Sequence, residues 1–147
     1  MWTSVQIAQY ILKKARESND TVTPMQILKL VYLCHGWMLG LYSRQLIRED
    51  VEAWQYGPVI RYLYDKVKSY RSQAITEDLC DELPTFDKEA ENIMDQVYDK
   101  YGQYSGLALS RLTHMGGSPW DVTWRLASQN HVISNDLIED YYSCVCS

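Results

Sequence analysis

From Ser4 to Ser18 the apolar residues Val5, Ala8, Ile11, Leu12 and Ala15 fall at helical spacing, with Gln6, Gln9, Lys13 and Arg16 elsewhere. This pattern predicts an amphipathic helix with one buried stripe. "SNDTVTP" breaks it. Thr23-Pro24 then reads as a helix start, a capping hydroxyl followed by a proline whose missing N–H costs nothing at the first helical position. The run "PMQILKLVYLCHGWMLGLYS" is apolar on nearly every face and predicts the central, enclosed helix. Gly36 and Gly40, four apart, share a face and would let another element approach closely.

The period changes over "SRQLIREDVEAWQYGPV", where Val51, Ala53 and Gln55 alternate with Glu52, Trp54 and Tyr56. Two short strands in a small hairpin are expected, ended by Gly57-Pro58, which opens a helix. In that helix Val59, Tyr62, Leu63, Lys66, Val67 and Tyr70 make one stripe, so Tyr62 is expected inside and Tyr64 outside it. Residues 71–85 form an acidic connection, the best candidate for a mobile loop, with Ile75, Leu79 and Leu83 touching the core. Phe86, Ala90, Ile93, Met94, Val97 and Tyr101 return to helical spacing. Ser105 caps a short helix, Ser118-Pro119 starts another with Asp121 in its first turn, and Ser134 caps the last, with Ile133 and Ile138 placed as a hydrophobic staple. The expectation is a mainly α, compact, single-domain helical fold over residues 1–147, built around a central apolar helix with a small β-hairpin.

Composition adds a bias toward aromatics with a polar tip: 12 Tyr and 5 Trp stand against one Phe. Such residues suit half-buried positions and interfaces. The net charge of −5 makes nucleic acid a poor default partner. Arg61, Lys66, Lys68 and Arg71, with Tyr64 and Tyr70, could touch a single strand, but a solvated face balanced by Asp65 is the favoured reading. The apolar run is short for a membrane span, which needs about 20 predominantly apolar residues, and it holds His35 between Lys29 and Arg44. "MWTSVQIAQY" lacks the basic and apolar regions of a secretion signal, and the four cysteines form no CxxC pair, so a reducing cytoplasm is expected.

Catalytic chemistry is thin. His35, His114 and His131 have no sequence-local partners, and Cys34 sits in an apolar run where a buried thiol is the plain reading. Cys144-x-Cys146 is a weak metal signal, and neither a phosphate loop nor a dinucleotide fingerprint occurs, so no cofactor and no metal are expected.

"LKLVYLCHGWMLG", "EDVEAWQYGPVIRYLYDKVKSY", "LSRLTHMGGSPWD" and "VISNDLIEDYY", in that order, resemble the Panacea domain, the SocA-like or phage-associated GepA-like family. The most specific pieces are Val51–Val59 and the Leu-Thr-His…Pro-Trp block, Leu112–Trp120. The resemblance implies a small, mainly helical, non-enzymatic antitoxin of a two-gene toxin–antitoxin pair, in a bacterium or prophage, that binds its toxin directly. It further implies a toxin partner on a separate chain encoded by an adjacent gene and, for some members, an adaptor role toward a cellular protease. The Cys34-His35-Gly36-Trp37 stretch departs from the family's usual Ala-Gln-Gly-Trp yet keeps the Gly-Trp pair. On this reading Trp54, Tyr56, Gly57, Pro58, Arg61 and Tyr64 form the partner-binding corner, ringed by acidic residues, while Gly36, Trp37, Thr113, His114, Pro119 and Trp120 are structural. The residues alone leave a second class open, an enzyme or nucleic-acid-binding regulator with a site around His114, Trp120 and Arg125. Oligomeric state is not legible in the sequence.

Overall fold

The computed structural model describes residues 1–127 and 129–145. Cys146, half of the weak metal signal, lies outside the described residues. The chain is mainly α. Helices α1 (Ser4–Glu17), α2 (Pro24–Tyr42), α3 (Arg61–Val67), α4 (Lys88–Tyr101), α5 (Gly106–Thr113), α6 (Pro119–Leu126) and α7 (Asn135–Val145) are joined by strands β1 (Val51–Trp54), β2 (Gly57–Val59) and β3 (His131–Ile133). A 3-10 turn, Lys68–Tyr70, follows α3.

Helix α2 is enclosed as its composition requires. Every residue from Ile27 to Leu39 is buried, against α1, α3, α4, α5, α7 and β2. Its start is fixed by Thr23, whose side chain accepts from Gln26 N while Gln26 reaches back to Thr23 N, a reciprocal cap ahead of Pro24. Helix α7 crosses α2 directly over the paired glycines. A Cβ on Gly36 would lie 2.7 Å from the Tyr142 ring, and one on Gly40 would lie 2.6 Å from the α7 backbone at Tyr142. The close approach read from the spacing is therefore made, and at Gly40 it involves backbone that cannot swing aside.

The sheet has order β2-β1-β3, antiparallel throughout. Val51 and Ala53 point into the core while Glu52 and Trp54 are half-buried, in keeping with the alternation. Two expectations are corrected. The strand β3 was not anticipated, because three residues with one buried side chain carry no periodic signal; His131 stands in it opposite Ala53. Gly57-Pro58 belongs to β2 instead of opening the helix, which begins at Arg61. The centre of the expected stripe holds and its flanks differ. Ile60, Leu63 and Val67 are buried, Tyr62 is 47% exposed, and Tyr64 is drawn in against Trp54. The acidic connection is pinned at three places: Gln9 donates to Asp78 and accepts from Leu79 N, Arg16 pairs with Asp78, and Ile75 N donates to Val22 O.

His35 is a buried joint between three segments. Ile47 N donates to its Nδ1 at 3.4 Å, which makes Nε2 the protonated nitrogen, and Nε2 then donates to Asn135 Oδ1 at 2.9 Å at the start of α7. Burial pulls the imidazole down to about 4, against the Asn135 hydrogen bond, which works the other way. Because the unfolded chain takes up this proton first, the stability from keeping His35 neutral is complete above pH 6.5 and is lost as pH falls toward 4. Urea unfolding is expected to show up to about 3 kcal/mol more acid destabilisation over that window for wild type than for His35→Gln. Equal pH slopes for the two proteins would contradict the assignment.

Candidate functional site: a clamped aromatic corner

The two-residue turn Gln55-Tyr56 carries β1 into β2, with Trp54 paired to Gly57. Gly57 sits at φ +120, a conformation side chains disfavour, and a Cβ there would lie 3.0 Å from Lys29 Nζ. Four carbonyls of this hairpin are met from outside it. Asn130 N donates to Ala53 O at 2.9 Å, Trp120 Nε1 to Trp54 O at 2.5 Å, Ser110 Oγ to Tyr56 O at 2.7 Å, and Lys29 Nζ to Pro58 O at 2.9 Å. Helices α2, α5 and α6 thus each send one side chain to hold the corner.

The second motif block supplies one of these four donors, Trp120, and the turn that aims it. Ser118 caps α6 by accepting from Asp121 N, Pro119 occupies its first position, and Asp121 accepts from Gly117 N. This geometry aims the buried Trp120 at β1. His114, at the end of α5, lies 5.2 Å from the Trp120 ring and its Nδ1 is 3.4 Å from Ser110 Oγ, while Trp124 stacks on Trp120 at 5.4 Å. Thr113 bonds back to Leu109 O and Ser110 O. Thr113, His114, Pro119 and Trp120 all lie in or against this support. Gly36 and Trp37 lie elsewhere, the first under Tyr142 and the second edge-on to Tyr101 at 6.0 Å.

The corner's outer side joins Trp54, Arg61 and Tyr64. Trp54 meets Tyr64 edge-on at 4.9 Å, and the Arg61 guanidinium lies 5.0 Å from the Trp54 ring centre. Glu52 ties them, accepting from Trp54 Nε1 and from Arg61 Nε and Nη2. Partial burial alone would raise the Glu52 carboxyl; the Arg61 and Trp54 hydrogen bonds bring it below the usual range. Tyr56 projects from the turn at 66% exposure, whereas Gly57 and Pro58 are buried and shape the corner from beneath. The acidic ring expected around these aromatics is not formed. Glu52 and Asp65 pair with Arg61 and Lys68, and Arg71 stands nearby without an ion pair among the described residues.

Lys29 escaped the sequence reading. It is 2% exposed, and burial brings its ammonium down to about 7. The signal was present in outline, a lysine in a helix with no wet face. Cys34 is a core residue whose thiol burial pushes up, so it is not an activated nucleophile. Among the described residues no three His, Cys, Asp or Glu side chains converge to hold a metal, and no helix is long and apolar enough to cross a membrane.

The profile of the family described as antitoxin SocA-like, Panacea domain, matches residues 27–121. The chain belongs to this family. It is also 29% identical over 126 residues to Antitoxin SocA of Caulobacter vibrioides (strain NA1000 / CB15N), an alignment covering 79% of this chain and 67% of that one. No solved structure matches it significantly. The Panacea match runs from α2 into α6, so it contains the hairpin and the three side chains, Lys29, Ser110 and Trp120, that clamp it. The blocks Val51–Val59 and Leu112–Trp120, both inside the matched range, are therefore joined in space, one as the corner and the other as part of its support.

The clamp makes a stability claim that can be measured. Trp120→Phe keeps a ring but leaves Trp54 O without its indole donor, and Ser110→Ala does the same to Tyr56 O; each is expected to cost about 1–3 kcal/mol in urea unfolding. If both variants unfold like wild type, the carbonyls do not depend on these donors.

Proposed function

We propose that this Panacea protein is the antitoxin of a two-gene pair and neutralises a toxin encoded beside it by forming a direct complex through the hairpin corner. Membership of an antitoxin family supports the activity. The observation that carries the mechanism is the corner itself: Tyr56 stands out on a turn whose backbone is fixed by buried donors, flanked by Trp54, Tyr64 and Arg61. Tyr, Trp and Arg dominate interface hot spots, and a rigid presenting loop lowers the ordering cost of binding. The reading assigns no chemistry to the protein, consistent with the inert Cys34 and the structural roles of His35 and His114. It also assigns the protein to the cytoplasm, the reducing compartment in which the core thiol of Cys34 stays a thiol.

Tyr56→Ala is the sharpest variant because the side chain is exposed while the structural contact is made by its backbone oxygen. Truncating a central aromatic anchor costs about 2 kcal/mol or more, roughly a thirtyfold loss of affinity. In co-expression with the neighbouring gene, Tyr56→Ala is expected to release toxicity and to weaken pull-down while circular dichroism stays native. Lys66→Ala, exposed on α3 and not among the residues lining the cleft or the corner's ring contacts, should still protect. Growth rescue by wild type with no detectable complex would replace direct binding by delivery of the toxin to a protease.

A further inference from the structure

A cleft of about 560 Å³ opens beside the corner, between the start of α2, the hairpin, the end of α3 and α6. That volume is the size of a small-molecule site. Its walls are aromatic: Trp54, Tyr64 and Trp124 line it, with Trp124 held in place by its stack on Trp120. Its charge is of one sign. Lys29, Lys68 and Arg71 line the cleft and, among the described residues, no Asp or Glu does, in a chain whose acids outnumber its bases by 19 to 14.

Lys29 is the group that needs an explanation. A buried ammonium ordinarily has a carboxylate partner, because desolvating a charge without one is costly. Here Nζ has one acceptor among the described residues, Pro58 O, so two of its three N–H directions are free for another group. A methionine of similar length would fill the same space at no electrostatic cost, and the cleft beside Lys29 is where a counter-ion has room. Arg71 adds to the pattern at the cleft margin. It is held at φ +57 and ψ −112, a region that side chains disfavour, while Lys68 is tied to the exposed Asp65 at 3.3 Å.

We propose that this cleft is a binding site for a small aromatic carboxylate, its ring lodged among Trp54, Tyr64 and Trp124 and its carboxylate taking the Lys29 ammonium. The aromatic faces select a flat apolar body, and the buried cation selects an anion over its neutral isostere. The cleft shares Trp54, Tyr56 and Tyr64 with the proposed partner-binding corner, but the test uses the isolated protein and no toxin, so failure of the carboxylate to bind leaves the antitoxin reading standing.

The test is a titration of the full chain with naphthalene carboxylate and with naphthalene carboxamide, followed by tryptophan fluorescence and calorimetry. Wild type is expected to bind the carboxylate at least about tenfold more tightly than the amide, the scale of one charge-assisted hydrogen bond. Lys29→Met should erase that preference while still binding the amide, and Lys66→Met should keep it. If Lys29→Met does not fold, nitrogen-15 spectra of wild type decide: the carboxylate must shift the Trp54 and Trp124 indole signals and the Gly57 amide. Equal affinity for the two probes, a preference that survives Lys29→Met, shifts confined to other residues, or the absence of saturable binding would each overturn the proposal.

Discussion

Helix α2 cannot be wetted on any side, and the rest of the chain is arranged by that constraint. From Ile27 to Leu39 no face offers a polar strip, so burial must come from every direction at once. Helices α1, α4 and α7 close most of it, and α7 closes it at backbone distance because Gly36 and Gly40 carry no Cβ. Two of the polar side chains caught inside find acceptors or donors across the core. His35 does so by joining Ile47 to Asn135, and Lys29 by reaching Pro58 O.

The same constraint explains how a short hairpin can be rigid. Two strands of three or four residues are marginal by themselves, and here only β1 has a partner on both sides. Side chains and a backbone N–H from four other segments complete the carbonyl hydrogen bonding, so the turn is fixed to the helical body instead of to a long ladder. Fixing the backbone frees the outward side chains from structural duty. Tyr56 is exposed for this reason, and Trp54, Tyr64 and Arg61 form a surface braced by Glu52.

Much of this was legible because it rests on periodicity and caps. The stripes of α1 and α4, the enclosure of α2, the glycine crossing and the serine and threonine starts are local signals, each read from residues within one or two turns. The failures came where the signal was long-range or short. The strand β3 owes its existence to β1, and three residues cannot announce it. The predicted stripe of α3 keeps Leu63 and Val67 in the core, but on its flanks Tyr62 is exposed and Tyr64 is drawn in by Trp54, a contact from a different element that helical spacing cannot show. Lys29, Ser110 and the indole of Trp120 act through contacts with residues tens of positions away, so their pattern in the sequence shows their types and not their target. Charge misled for a similar reason: the acidic total says little about a corner where Glu52 and Asp65 are spent on Arg61 and Lys68.

The central claim is that the clamped corner is the surface on which the partner sits. Hydrogen–deuterium exchange of the protein alone and in complex with the product of the neighbouring gene tests it most directly. The account predicts that complex formation slows exchange across Trp54–Tyr64 and leaves the outer face of α4 unchanged, while the amides of α2 are already slow in the free protein. Protection confined to α4, or to the connection between α3 and α4, with the hairpin corner unaltered, would contradict it.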